Sequence, residues 1–74
     1  MSEAYAVILV HSTSHAIRAE KVLQAAGIAC KMIPVPRHIS SDCGVCVRVS
    51  RIDAEAARRT LEAVGMEIDD IRDV

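Results

Sequence analysis

Seventy-four residues make one small domain with a modest core, because a chain this short buries only part of its surface. Apolar residues are 51% of the chain, yet there is no Trp, no Phe and one Tyr, so the core has to be aliphatic. Nine basic residues against ten acidic ones, a net charge of −1, exclude the basic footprint of a nucleic-acid binder, and one aromatic residue offers no base-stacking platform.

No apolar run approaches the ~18 residues of a membrane span, so no membrane partner is expected. Met1-Ser2-Glu3 supplies no basic n-region, so no secretory leader is expected either. Three cysteines, an odd number, argue against a disulfide framework and fit the reduced thiols of a cytoplasmic protein.

Tyr5 to Val10 reads as a first strand, apolar and free of breakers. Ser12, Thr13 and Ser14 then offer hydroxyls to cap a helix. Ala16, Ala19, Leu23 and Ala26 fall on one helical stripe, and Gly27 stands just past its end, where a left-handed residue closes a helix. Ile28 to Val35 is a second strand, stopped by Pro34 and Pro36. The connection that follows is longer than a tight hairpin needs, and long loops on rigid scaffolds often carry function.

Val45 to Val49 alternates as a third strand, with Val45, Val47 and Val49 on one face and Cys46 and Arg48 on the other. Asp53 is placed to cap a second helix; Ala57, Leu61 and Val64 form its stripe, and Gly65 ends it. Met66 to Ile71 is a final, more polar strand at an edge.

The chain also repeats itself. At an offset of 38 residues, Val7/Val45, Ser12/Ser50, Ala16/Ala54, Ala19/Ala57, Leu23/Leu61, Ala25/Ala63, Gly27/Gly65 and Ile33/Ile71 coincide without a gap. The single domain, residues 1–74, is therefore two β-α-β halves, about 4–35 and 42–73. Joined head to tail they give the α+β, ferredoxin-like β-α-β-β-α-β plan. That plan predicts a four-stranded antiparallel sheet in the order 4-1-3-2, with two helices on one face. Its first two strands end at the rim where the third begins, so His11, the hydroxyls of residues 12–14, the 34–42 segment and Cys43 should converge there.

Cys43, in Ser40-Ser41-Asp42-Cys43-Gly44, is the leading candidate for chemistry. It is placed near a helix N-terminus, whose partial positive charge favours a thiolate. Arg37, His38 and Arg48 add positive potential, and Asp42 opposes them. Gly44 leaves room beside the sulfur for an adduct. Cys46 completes a single C-x-x-C, but strand alternation turns the two side chains to opposite faces, and a disulfide would need a bend at Gly44. Cys46 is read as a small residue on the sheet face or as a second, resolving thiol. Cys30 reads as a buried packing residue. One C-x-x-C with scattered His11, His15 and His38 is a weak zinc pattern, so no metal or other cofactor is expected. No general acid or base stands out, which favours a carrier over a standalone enzyme.

The stretch from Val10 to Glu20, the segment Ile33-Pro34-Val35-Pro36-Arg37 and Ser40-Ser41-Asp42-Cys43-Gly44 resemble the Se/S carrier protein-like family of short bacterial and archaeal domains. The resemblance covers nearly the whole chain, and the Pro-Arg and Ser-Ser-x-Cys-Gly segments are its most specific part. It implies a role in sulfur or selenium handling, with Cys43 as the carrier cysteine, and donor and acceptor proteins as partners. Cys46 falls where relatives are expected to hold a small apolar residue.

Three functions follow as expectations. The first is a carrier holding a persulfide or selenosulfide on Cys43, the adduct stabilised by His11, Ser12, Thr13, Arg37, Ser41 and Gly44. The second is a dithiol redox protein using Cys43 and Cys46. The third is a non-catalytic ligand-binding or interaction module, since this plan hosts many functions. The sequence leaves self-association open.

Overall fold

Residues 4–39 and 43–74 are described in a computed structural model of the chain. Strand β1 is Tyr5–Leu9, helix α1 Thr13–Ala25, strand β2 Cys30–Pro34, strand β3 Val45–Ser50, helix α2 Ala54–Ala63 and strand β4 Asp70–Asp73. A single 3-10 turn, Arg51–Asp53, leads into α2. The strands form one sheet in the order β2-β3-β1-β4, and every neighbouring pair is antiparallel. The fold is α+β, a four-stranded antiparallel sheet with two helices. No helix among the described residues is long and apolar enough to cross a membrane.

Residues 6–10 are all buried, so this one segment feeds apolar side chains to both faces of the sheet. Ala6, Ile8 and Val10 join Val47, Val49, Ala16, Ala19, Leu23, Ala57, Leu61 and Met66 on the helix side. The alanines let both helices lie close to the sheet. Val7 and Leu9 turn the other way and pack with Cys46 and Ile39. Ile39 belongs to the β2–β3 connection, whose residues 35–39 fold back over the helix-free face. Val45, Val47 and Val49 point to the helices and Cys46 away from them, as the alternation requires.

The helix ends repeat at the 38-residue offset. Gly27 and Gly65 have φ of 79° and 73°. After α1, Gly27 N–H donates to Gln24 O (3.0 Å) and Ile28 N–H to Leu23 O (2.9 Å). After α2, Gly65 N–H donates to Glu62 O (2.9 Å) and Met66 N–H to Leu61 O (3.0 Å). Both are Schellman closures, each with an apolar contact just beyond the glycine. They end the buried stripes one step early. Ala26 and Val64, expected on those stripes, are exposed as the C-cap residues.

The helix starts differ. Ser12 caps α1, its Oγ accepting from His15 N–H at 3.3 Å. Asp53, expected to cap α2 in the same way, stands at the cap position without a side-chain hydrogen bond, because the 3-10 turn already leads the chain into the helix. Strand limits also shift. β2 starts at Cys30 rather than Ile28, and Pro34 is its last residue, tolerated because β2 is an edge strand. The last strand is at the other edge, as expected, but begins at Asp70, because the helix closure draws Met66 into the core first.

A methyl group added at Gly27 or Gly65 meets no atom within 4 Å, so its cost is purely conformational. Gly27→Ala and Gly65→Ala should each lower stability by roughly 1–2 kcal/mol in urea unfolding. Gly44→Ala, at a glycine that does not have positive φ, should cost much less. Equal losses at the three sites would contradict this account of the helix ends.

Candidate functional site

β1 and β2 are each antiparallel to β3, so they run parallel and end at the rim where β3 begins. One more hydrogen bond, Val35 N–H to Gly44 O at 3.1 Å, extends the β2–β3 ladder past the Pro34–Val45 pair. A turn closed by Ile39 N–H to Pro36 O (3.0 Å) then reverses the chain. It leaves Arg37 and His38 exposed and carries Ile39 down onto the sheet, where it is 6% exposed. Ser41, expected to help bind an adduct, lies outside the described residues.

Cys43 stands in a bend just before β3 and is only 5% exposed, whereas Gly44 beside it is exposed. Cys46, fully buried, points its Sγ at Pro34 O, 4.0 Å away. Burial pushes the Cys46 thiol above its ordinary pKa, and the nearby Cys43 charge pushes it further. Cys43 precedes the strand, and alternation holds only for extended backbone, so the rule that turns Cys46 to the helix-free face does not by itself fix the face of Cys43. The three cysteines carry no disulfide.

Cys30 is half-buried rather than buried, because β2 is an edge strand. It lies on the helix side, its Sγ donating to Glu20 O at 3.6 Å. Burial, and then the Glu20 charge, raise its pKa. Glu20 also accepts from Met32 N–H at 3.2 Å, which ties β2 to α1.

A second cluster occupies the β4 side of the rim. His11 Nε2 lies 3.3 Å from an Asp69 oxygen and 4.0 Å from a Glu67 oxygen. Asp69 N–H donates to Leu9 O at 2.7 Å, which holds that loop against the end of β1. Ser12 Oγ meets His15 Nδ1 at 2.7 Å as well as capping the helix, and the His11 and His15 rings are 6.0 Å apart. Thr13 is the exposed first residue of α1. These contacts engage His11 and Ser12, the groups that the sequence reading assigns to an adduct. Glu67 and Asp69 were missed as the partners of His11. The signal was the acidic loop at the shared rim, legible only once the last strand is known to start at Asp70. Among the described residues no group of three His, Cys, Asp or Glu side chains is arranged to hold a metal ion.

A thiol whose pKa is raised by folding stays protonated in the native state after the unfolded chain has begun to ionise. The native state then binds more protons, so stability is full below the unfolded pKa and falls as pH rises above it. For Cys46 the fall should begin near the ordinary thiol value of 9.0. Thermal melts through that pH should show a shallower alkaline decline for Cys46→Val than for the parent. Equal slopes would contradict the burial of this thiol.

The family described as "Putative Se/S carrier protein-like" matches residues 5–72. The chain is also 39% identical over 41 residues to "Uncharacterized protein YtiA" of Escherichia coli (strain K12). That stretch is 55% of this chain and 48% of the relative, so the chain spans just under half the length of the curated protein it matches. No solved structure matches. The family match runs from the first residue of β1 into β4 and takes in the whole thiol-bearing rim, and the chain belongs to the Se/S carrier protein-like family.

Proposed function

We propose that the protein is a cysteine-based carrier that holds a sulfur or selenium atom on Cys43 and passes it to a partner protein. The observation that carries this reading is the placement of Cys43, 5% exposed just before β3 and beside an exposed glycine. A persulfide needs shielding from water and stray thiols while it waits, and an approach for its partners when it moves. The 5% exposure of Cys43 fits the first, and Gly44, with no atom within 4 Å of a built methyl group, the second. The strand order β2-β3-β1-β4, which is 4-1-3-2 from the other edge, supports the ferredoxin-like reading of the scaffold.

Loading is a thiol–persulfide exchange. The Cys43 thiolate attacks the terminal sulfur of a donor persulfide. A Cys43 Sγ–S bond forms, the donor S–S bond breaks, and the donor leaves as a thiolate that takes up the proton lost from Cys43. Delivery is the reverse attack by an acceptor nucleophile, with Cys43 as the leaving thiolate. Both steps conserve electrons, so no separate oxidant or reductant enters. Arg37, exposed in the covering turn, is the cation we assign to the anionic adduct, with Thr13 and Gly44 at the same rim and Ser41, outside the described residues, as a further proposed donor. His11 and Ser12 act there through the contacts that hold the rim in shape. A reducing, cytoplasmic setting suits this chemistry.

The Cys43 charge acting on the Cys46 thiol favours a second reading, a dithiol that closes to a disulfide. The two readings separate in variants. As a carrier, Cys43→Ala should abolish sulfur loading after incubation with a persulfide donor, and Cys46→Ala should retain most of it, read as the mass of one added sulfur atom. Equal loss in both variants would instead establish the dithiol. An unloaded parent protein would leave the non-catalytic module.

A further inference from the structure

The helix-free face carries a second feature, at the rim opposite Cys43. Cross-strand register sets Lys31 of β2 directly opposite Arg48 of β3. Like charges so placed repel and weaken a sheet. Both residues line a depression of about 210 Å³, together with Tyr5, Ala29 and Ser50. Its floor is the Cys30–Val49 pair, whose side chains turn to the helices. No carboxylate lines this depression among the described residues.

The depression is shaped as well as charged. The Arg48 guanidinium lies over the Tyr5 ring, 4.2 Å from its centre. Stacking fixes the plane of the guanidinium and leaves its N–H edge for a planar fork of hydrogen bonds. Ser50 pairs with Tyr5 across the strands and brings a hydroxyl to the same end. A point cation, an oriented fork and a hydroxyl around a small open space match one ligand chemistry, a tetrahedral oxyanion. We propose that this cleft binds a phosphate-class oxyanion, free or as the terminal group of a small phosphomonoester, with Lys31, Arg48 and Ser50 as its ligands. The bound charge relieves the repulsion between Lys31 and Arg48.

Arg72 of β4 lies on the same face, beyond Val7 of β1, but Asp70 is 3.8 Å from it and it does not line the cleft. It serves as the control. Amide NMR titration of the intact protein with inorganic phosphate, and separately with glycerol 3-phosphate, tests the proposal. The reference is sodium chloride at equal ionic strength. Saturable shifts should centre on Tyr5, Lys31, Arg48 and Ser50. Arg48→Gln and Lys31→Gln should each weaken binding roughly tenfold, and Arg72→Gln should leave it unchanged. Equal affinity for the two probes assigns the free anion, and tighter binding of the ester assigns the terminal group. Shifts that chloride reproduces, or binding that survives both cleft substitutions, would overturn the proposal.

Discussion

The constraint on which the rest of this structure depends is that β1 is apolar on both faces. Val7 and Leu9 are as buried as Ala6, Ile8 and Val10, so neither side of the sheet centre can stay open to water. Two helices cover one side. The described residues form no third helix for the other, and residues 35–39 of the β2–β3 connection lie there instead, with Ile39 set among Val7, Leu9 and Cys46. Burying one such side chain contributes about 1.5–3 kcal/mol, a large share of the stability of a small domain. Ile39 is thus held by hydrophobic packing, and Cys43, four residues on, is buried as well.

This arrangement links stability to chemistry. Cys30 and Cys46 have thiols pushed up by burial, which keeps them neutral and poor as nucleophiles near neutral pH. Their environments differ in kind. Cys46 is locked under the loop, and Cys30 is held against α1 through Glu20 O. Cys43 alone of the three stands outside the regular strands, in a bend just before β3. Under the carrier proposal, that position shelters the thiol at rest.

Much of the fold was legible in the sequence, for identifiable reasons. The glycines at 27 and 65 mark left-handed helix closures, and the unbroken apolar run at 6–10 marks a central strand. The alternation of Val45, Val47 and Val49 gives the helix-facing side of β3. The alanine stripes gave the helices, but overran by one residue where Ala26 and Val64 serve as caps. Periodicity could not reveal that Ile39 is core, because an apolar residue in a loop has no repeat to belong to. It also leaves Cys43 unplaced, since alternation says nothing of a side chain one bend before the strand. His11 was placed at the right rim without its acidic partners, because the polar stretch before β4 reads equally well as strand or loop.

The central proposal is that packing of Ile39 among Val7, Leu9 and Cys46 on the helix-free face also shelters Cys43. The most direct measurement is the alkylation rate of each cysteine at neutral pH, by peptide mapping, in the parent and in Ile39→Ala. If the claim holds, the substitution accelerates labelling of Cys43 and Cys46 and leaves Cys30, on the opposite face, at its parent rate. Unchanged labelling of Cys43, or equal acceleration at all three cysteines as in global loosening, would contradict it.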